Sequence, residues 1–175
     1  SVAIGNQALL TQNFTTATDA YNTAIGTDAG LSVTTGLRNT LVGALTGDAL
    51  TTGDNNVALG FNALSADTQG DRNIAIGTDA LAAQNFTTST DSYNVAIGFQ
   101  AGVAVTTGVQ NTFIGGVSGP SANSGNGNTA VGYAALLSSN GASINNTAVG
   151  HSALQSLTTG DGNVAVGAAS GGQGA

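Results

Sequence analysis

A five-residue phrase, Asn-(Thr/Val/Ile)-Ala-(Ile/Val/Leu)-Gly, returns ten times along this chain. It starts at Ser1, Asn22, Asn39, Asn56, Asn73, Asn94, Asn111, Asn128, Asn146 and Asn163, and Ser1 alone stands in for Asn. Six complete units span seventeen positions, one eighteen and two twenty-one. A unit this short cannot enclose a core of its own and buries its apolar face only by stacking on its neighbours. The chain is therefore expected to be one repeat array over residues 1–175, an all-β parallel β-solenoid (β-roll) of about ten coils. Because it stops part-way through a tenth unit, at Gly171 to Ala175, it is read as a section of a longer fibre protein.

Each unit can be numbered from its Asn. Position 2 is always Val, Thr or Ile and position 4 always Ile, Val or Leu, so the two share one face of a strand. Position 3 is Ala except at Leu41 and Phe113, and position 5 is always Gly. Small residues recur where another backbone comes close or the chain bends. The Ala/Gly face is thus expected to meet either a sharp corner or a neighbouring subunit. Position 15 is Gly in all six seventeen-position units, commonly after Thr-Thr, which predicts a positive-φ corner. A unit of that length would run roughly 56 Å at ~3.3 Å per extended residue, so two corners make a flattened coil with two short legs.

Position 9 carries a slower rhythm, Leu-Gly-Gly-Leu, through Leu9, Gly30, Gly47, Leu64 and again Leu81, Gly102, Gly119, Leu136. The two longest units keep step with it, since Gln12-Asn13-Phe14-Thr15-Thr16 recurs as Gln84-Asn85-Phe86-Thr87-Thr88. Leu41 and Phe113 are separated by the same offset as Gln12 and Gln84, so a four-coil super-repeat of seventy-two positions has been duplicated. The position-1 residues Asn22, Asn39, Asn56, Asn73, Asn94, Asn111, Asn128, Asn146 and Asn163 should stack, with side-chain amides hydrogen-bonding along the axis as a structural ladder.

Composition narrows the function classes. Charged residues make up 6% of the chain, nine Asp with Arg38 and Arg72, against roughly a quarter in average soluble domains. A net charge of -7 with two cations argues against nucleic acid or an anionic membrane as partner. No apolar run approaches the ~18 residues of a membrane span, so no membrane insertion is expected in this segment. His151 is the only His, and Cys and Glu are absent, so no acid-base or nucleophilic constellation can be assembled and an enzyme is not expected. No cofactor is implied.

The Asn-x-Ala-Ile-Gly phrase resembles the head repeats of YadA-like trimeric autotransporter adhesins, which are parallel β-rolls packed three abreast. The form Asn128-Thr-Ala-Val-Gly-Tyr-Ala-Ala-Leu136, with Thr158-Thr159-Gly160, resembles repeats of phage tail fibres and bacterial surface fibres. The resemblance spans the whole chain. It implies a homotrimer, an extracellular, cell-surface or virion location, and a role in attachment to a host or surface. It also offers three chains packed through their small-residue walls as one account of the Ala/Gly face.

Candidate contact residues follow from the positions. Phe61, Phe99, Tyr133 and His151 occupy position 6, just past the Gly corner, where they should point outward toward a glycan or protein receptor. The blander reading is that they cover gaps in neighbouring coils or pack across subunits. Phe14 and Tyr21, and then Phe86 and Tyr93, sit in the long loops, either as binding groups or as lids over their own coils. Asp54 and Asp71 share position 16 of consecutive coils beside Arg38 and Arg72, a weak candidate metal pair and more simply a surface charge cluster.

The reading that results is a stiff structural fibre segment that presents an attachment surface. One alternative is a passive self-assembling filament without its own receptor. A less favoured one is an ice-binding solenoid built on Thr34-Thr35, Thr51-Thr52, Thr106-Thr107 and Thr158-Thr159. That array is broken by Thr68-Gln69, Asn123-Ser124 and both long loops.

Overall fold

The computed structural model describes residues 1–119, 121, 124–139 and 142–171. Asn123 and the 172–175 tail therefore lie outside the described residues. Among the described residues there is no helix; the chain winds into a parallel β-solenoid of about nine turns, with a period near seventeen positions.

One wall of the roll is a ten-stranded sheet of three-residue strands. In chain order these are β1 (Val2–Ile4), β2 (Thr23–Ile25), β3 (Thr40–Val42), β4 (Val57–Leu59), β6 (Ile74–Ile76), β8 (Val95–Ile97), β9 (Thr112–Ile114), β10 (Thr129–Val131), β11 (Thr147–Val149) and β12 (Val164–Val166). Every neighbouring pair is parallel and in register, so Ala75 lies beside Ala96 and Ala96 beside Phe113. Two further strands, β5 (Gly70–Asp71) and β7 (Thr90–Asp91), pair beside the second long loop.

The opposite wall is not a strand leg. After the Gly corner the chain runs through successive turns, yet these still bond rung to rung: Gly30 N donates to Thr46 O at 2.9 Å, and Leu64 N to Ala80 O at 2.9 Å. The turns need left-handed backbone, supplied at positions 7 and 9 by residues such as Asn62 (φ 59) and Leu64 (φ 54). Leu is strained there, and its burial offsets the strain.

Of the two accounts of the Ala/Gly face, the corner holds at position 5 and the subunit contact does not hold at position 3. Position 3 points inward: Ala24, Leu41, Ala58, Ala75, Ala96, Phe113, Ala130 and Ala148 are fully buried. With position 9 and position 12 (Val33, Leu50, Val105) they form one continuous core cluster. The Ala residues are therefore interior wall and not a subunit contact, and they are small because position 9 fills the space opposite them with Leu in most of these coils. Gly at position 5 does make a corner, with φ between 124 and 139 in all ten coils. Position 15 is different. Gly160 has positive φ (131) as expected, but Gly36, Gly53, Gly70, Gly108 and Gly125 do not. At Gly36 a Cβ would come within 2.5 Å of the Gly53 carbonyl oxygen, so close approach to the next rung excludes a side chain there. The left-handed residue of that corner is position 17, as at Arg38 (φ 58) and Asn55 (φ 60).

The two large residues at position 3 explain the slow rhythm at position 9. A Cβ on Gly30 or Gly47 would lie 2.7 or 2.9 Å from the Leu41 methyls, and one on Gly102 would lie 2.9 Å from the Phe113 ring. Each bulky side chain thus occupies the space of two missing leucines.

Candidate interaction surface

With position 3 inside, positions 2 and 4 face outward along all ten rungs. Val2, Ile4, Ile25, Thr40, Val57, Leu59, Ile114, Val164 and Val166 are exposed, and the remaining members are half-buried by their neighbours. No charged residue occupies either column. The result is a flat stripe, with Ile, Val or Leu throughout one column and Val, Ile and Thr mixed in the other, ~4.8 Å apart along the axis, ~7 Å between columns and ~43 Å long. Its extent is on the order of 400 Å², within the range of the largest apolar patches that soluble monomers expose.

Beside this stripe, one residue past the corner, stands the column of rings. Phe61, Phe99 and Tyr133 are 52, 56 and 58% exposed, and His151 is exposed too. Tyr133 and His151 stack with centroids 5.5 Å apart and planes 22° from parallel. The Tyr133 ring also lies over Gly116 of the coil before it, where a Cβ would touch it at 3.4 Å. Thr78 and Gly116 separate the rings on alternate rungs, so the column is an open comb.

The long-loop aromatics divide. Phe14 is half-buried, whereas Phe86 is buried and cannot serve as a surface contact. Its coil is held from below by a group not singled out from the sequence, Asp67. This wholly buried carboxylate accepts from Gln84 Nε2 at 2.6 Å, Phe86 N at 3.0 Å and Gly70 N at 3.1 Å. Burial raises its pKa above the ordinary aspartate value, against the pull of these donors. The signal for Asp67 and Gln84 was available: both hold position 12, which is apolar at Val33, Leu50 and Val105.

The Asn stack is present, but its bonds are mainly side chain to backbone. Asn56 N donates to Asn39 Oδ1 at 2.9 Å, and Asn39 Nδ2 donates to Gly53 O at 2.8 Å. The same pair of bonds recurs at Asn111, through Asn128 N at 2.9 Å and Gly125 O at 2.8 Å. Amide-to-amide contacts run alongside, as from Asn73 Nδ2 to Asn56 Oδ1 at 3.1 Å. Asn22 through Asn146 are buried and Asn163 is half-buried.

Asp54 and Asp71 form a second backbone ladder. Leu37 N donates to Asp54 Oδ1 and Asp54 N to Asp71 Oδ1, each at 2.7 Å, and Ser89 Oγ donates to Asp71 Oδ2 at 2.8 Å. Arg38 lies 3.7 Å from Asp54, while Arg72 pairs with Asp91. These carboxylates are engaged with amides, and among the described residues no group of three metal-ligating acids, His or Cys comes together. In two of the Thr pairs the first hydroxyl is engaged: Thr34 and Thr51 donate to the next rung's carbonyl at 3.1 and 3.0 Å. These two hydroxyls point along the axis to backbone and not outward.

No protein-family model, curated protein or solved structure matches this chain. Among the described residues no helix is long and apolar enough to cross a membrane.

Proposed function

We propose that this chain is a structural segment of an extracellular or virion fibre whose rolls associate side by side through the β-branched face of the sheet. The observation that carries the reading is this outward face, uncharged on all ten rungs and with Ile, Val or Leu at position 4 of every one, in a protein otherwise covered with Asn, Thr, Ser and Asp. An exposed face of this size gains free energy by leaving water, and another roll of the same pitch fits it rung for rung. The adhesin-like repeats supply the number three. A homotrimer would carry each comb of rings three times, and attachment would proceed through many weak contacts with a glycan or protein receptor.

Light scattering during size exclusion tests the association, across protein concentration and between low and high salt. The expected outcome is a mass three times 16.8 kDa that salt does not reduce, because the face carries no charge. Ile76→Lys with Ile97→Lys should yield a folded monomer. A wild-type monomer at every concentration overturns the reading, and mass growing without limit replaces it with the passive filament. Loss of glycan or cell binding in Phe61→Ala/Phe99→Ala/Tyr133→Ala trimers would assign the receptor contact to the comb.

A further inference from the structure

The ring column at position 6 keeps a fixed phase with the rungs. Its carbonyls bond in an unbroken line to the position-7 amides of the following coil. Asp79 N donates to Phe61 O at 3.0 Å, Gln100 N to Thr78 O at 2.9 Å, Val117 N to Phe99 O at 2.8 Å and Ala134 N to Gly116 O at 3.0 Å. Phe61, Phe99 and Tyr133 therefore sit on every second rung, ~9.6 Å apart along the axis. Between them Thr78 is half-buried and Gly116 has no side chain, and each ring is about half exposed. Tyr133 leans over Gly116 and is backed by His151 on the next rung. That closes part of one gap and leaves Phe61 and Phe99, with Thr78 between them, as the best-spaced pair.

On the coils that carry Phe61, Thr78 and Phe99, the next column is a strip of planar polar groups. Asn62 Nδ2 donates to Asp79 Oδ1 at 2.8 Å, and Gln100 Nε2 lies 3.5 Å from Asp79 Oδ2. All of these side chains are half-buried, so bonding along the axis holds them in place while their edges stay at the surface. An aromatic ring beside fixed amides and a carboxylate suits a sugar. The ring takes the C–H face of the pyranose, and the polar groups take its equatorial hydroxyls. Asp79 is the only charged residue at positions 6 and 7 from Phe61 to Ala134, and a carboxylate there repels acidic or sulfated chains.

The geometry points to a neutral, extended β-1,4-linked polysaccharide of cellulose or chitin type, lying along the fibre axis with alternate sugars on Phe61, Phe99 and Tyr133. In such a chain each pyranose is turned over relative to the last. Like faces therefore return once per disaccharide, at nearly the interval of two rungs. Sugars on Phe61 and Phe99 are then one disaccharide apart, and the sugar between them passes over Thr78 beside Asp79. An α-1,4-linked chain coils and offers no such repeat. The inference rests on the reading of the comb as the attachment surface and names its ligand, and it does not depend on how many rolls associate.

Calorimetric titration of the chain with cellopentaose, chitopentaose and maltopentaose is the test. One or both of the β-linked sugars should bind and maltopentaose should not; the tighter of the two names the sugar. Phe99→Ala should weaken binding by about tenfold or more. A second variant, Thr78→Phe with Phe99→Thr, keeps the number of rings and shifts their phase, and it should lose as much as Phe99→Ala. Position 6 holds Asn, Thr, Ala, Gly and rings along the chain, so both variants should keep the original Tm. If the double variant unfolds, Phe99→Tyr decides with Phe99→Ala, since it keeps ring and phase and should bind as the original does. No binding of either β-linked sugar, equal binding of maltopentaose, or a folded phase-shifted variant as good as the original overturns the inference. On a glycan array, comb-dependent binding to other glycans alone overturns it and leaves the attachment reading standing. An array without any comb-dependent binding removes both.

Discussion

At the scale of single residues, the asparagine at position 1 solves two problems with one side chain. Entering a strand from the corner leaves its own N–H outside the sheet ladder, and the glycine three residues before it leaves a carbonyl facing inward. Oδ1 of one Asn accepts the N–H of the next, and Nδ2 donates to the glycine carbonyl. Asp would put charge against that carbonyl, and Ala would leave both buried groups unpaired. Asn111→Ala is therefore expected to lose about 3 kcal/mol of stability in urea unfolding. Asn111→Asp keeps the acceptor and forfeits the donor, while Asn163→Ala, in a half-buried coil, should cost less than either. The alignment of these residues was legible from their spacing. Their bonding was not, because spacing places side chains on one line without saying which backbone groups come up beside them.

At the scale of the element, the three-residue strand inverts the usual rule that the larger apolar residues go inside. Alternation along Val-Ala-Ile was plain in the sequence, but alternation alone does not tell which face turns inward, and side-chain volume decided it here. A roll closed by one short strand and a stack of turns leaves room for only one wall to send a large side chain inward at each level: leucine from the turns, as at Leu64 and Leu136, and Leu41 or Phe113 from the strand where the turn carries Gly. The clue lay in both copies of the super-repeat: a large residue at position 3 coincides with Gly at position 9 in its own coil and the one before. Such size compensation requires both positions to share an interior. Phe113→Ala alone should cost ~3–5 kcal/mol. Gly119→Leu alone should be destabilising through overpacking by ~1–3 kcal/mol or more. Combining Phe113→Ala with Gly102→Leu and Gly119→Leu rebuilds the Ala-with-Leu arrangement of the neighbouring coils. It should recover more than half of the summed loss in a mutant cycle read by thermal unfolding. Leucine tolerates the backbone required, since Leu136 and Leu154 already hold φ 55 and 47 at that position.

At the scale of the whole molecule, contacts run from each coil to the next and nowhere else, so stability accumulates along one dimension. The position-6 comb and the outward stripe are extended objects that no single coil possesses; the comb was legible by aligning the repeats, whereas the stripe's orientation was not. The period could be read from the sequence, and the outward face became evident only once the interior was known to be full. The bonds that join coils all point along the axis, the direction in which a fibre is pulled. Tension applied between the two ends loads those bonds one rung at a time. Each coil that peels away gives up ~4.8 Å of rung and releases roughly 56 Å of slack chain. Pulling a single roll by its ends should therefore give a regular series of one-coil extensions, with longer steps at the two longest coils, in place of one abrupt rupture. A tether built this way yields by lengthening, and a shock reaches its anchor as a sequence of small loads.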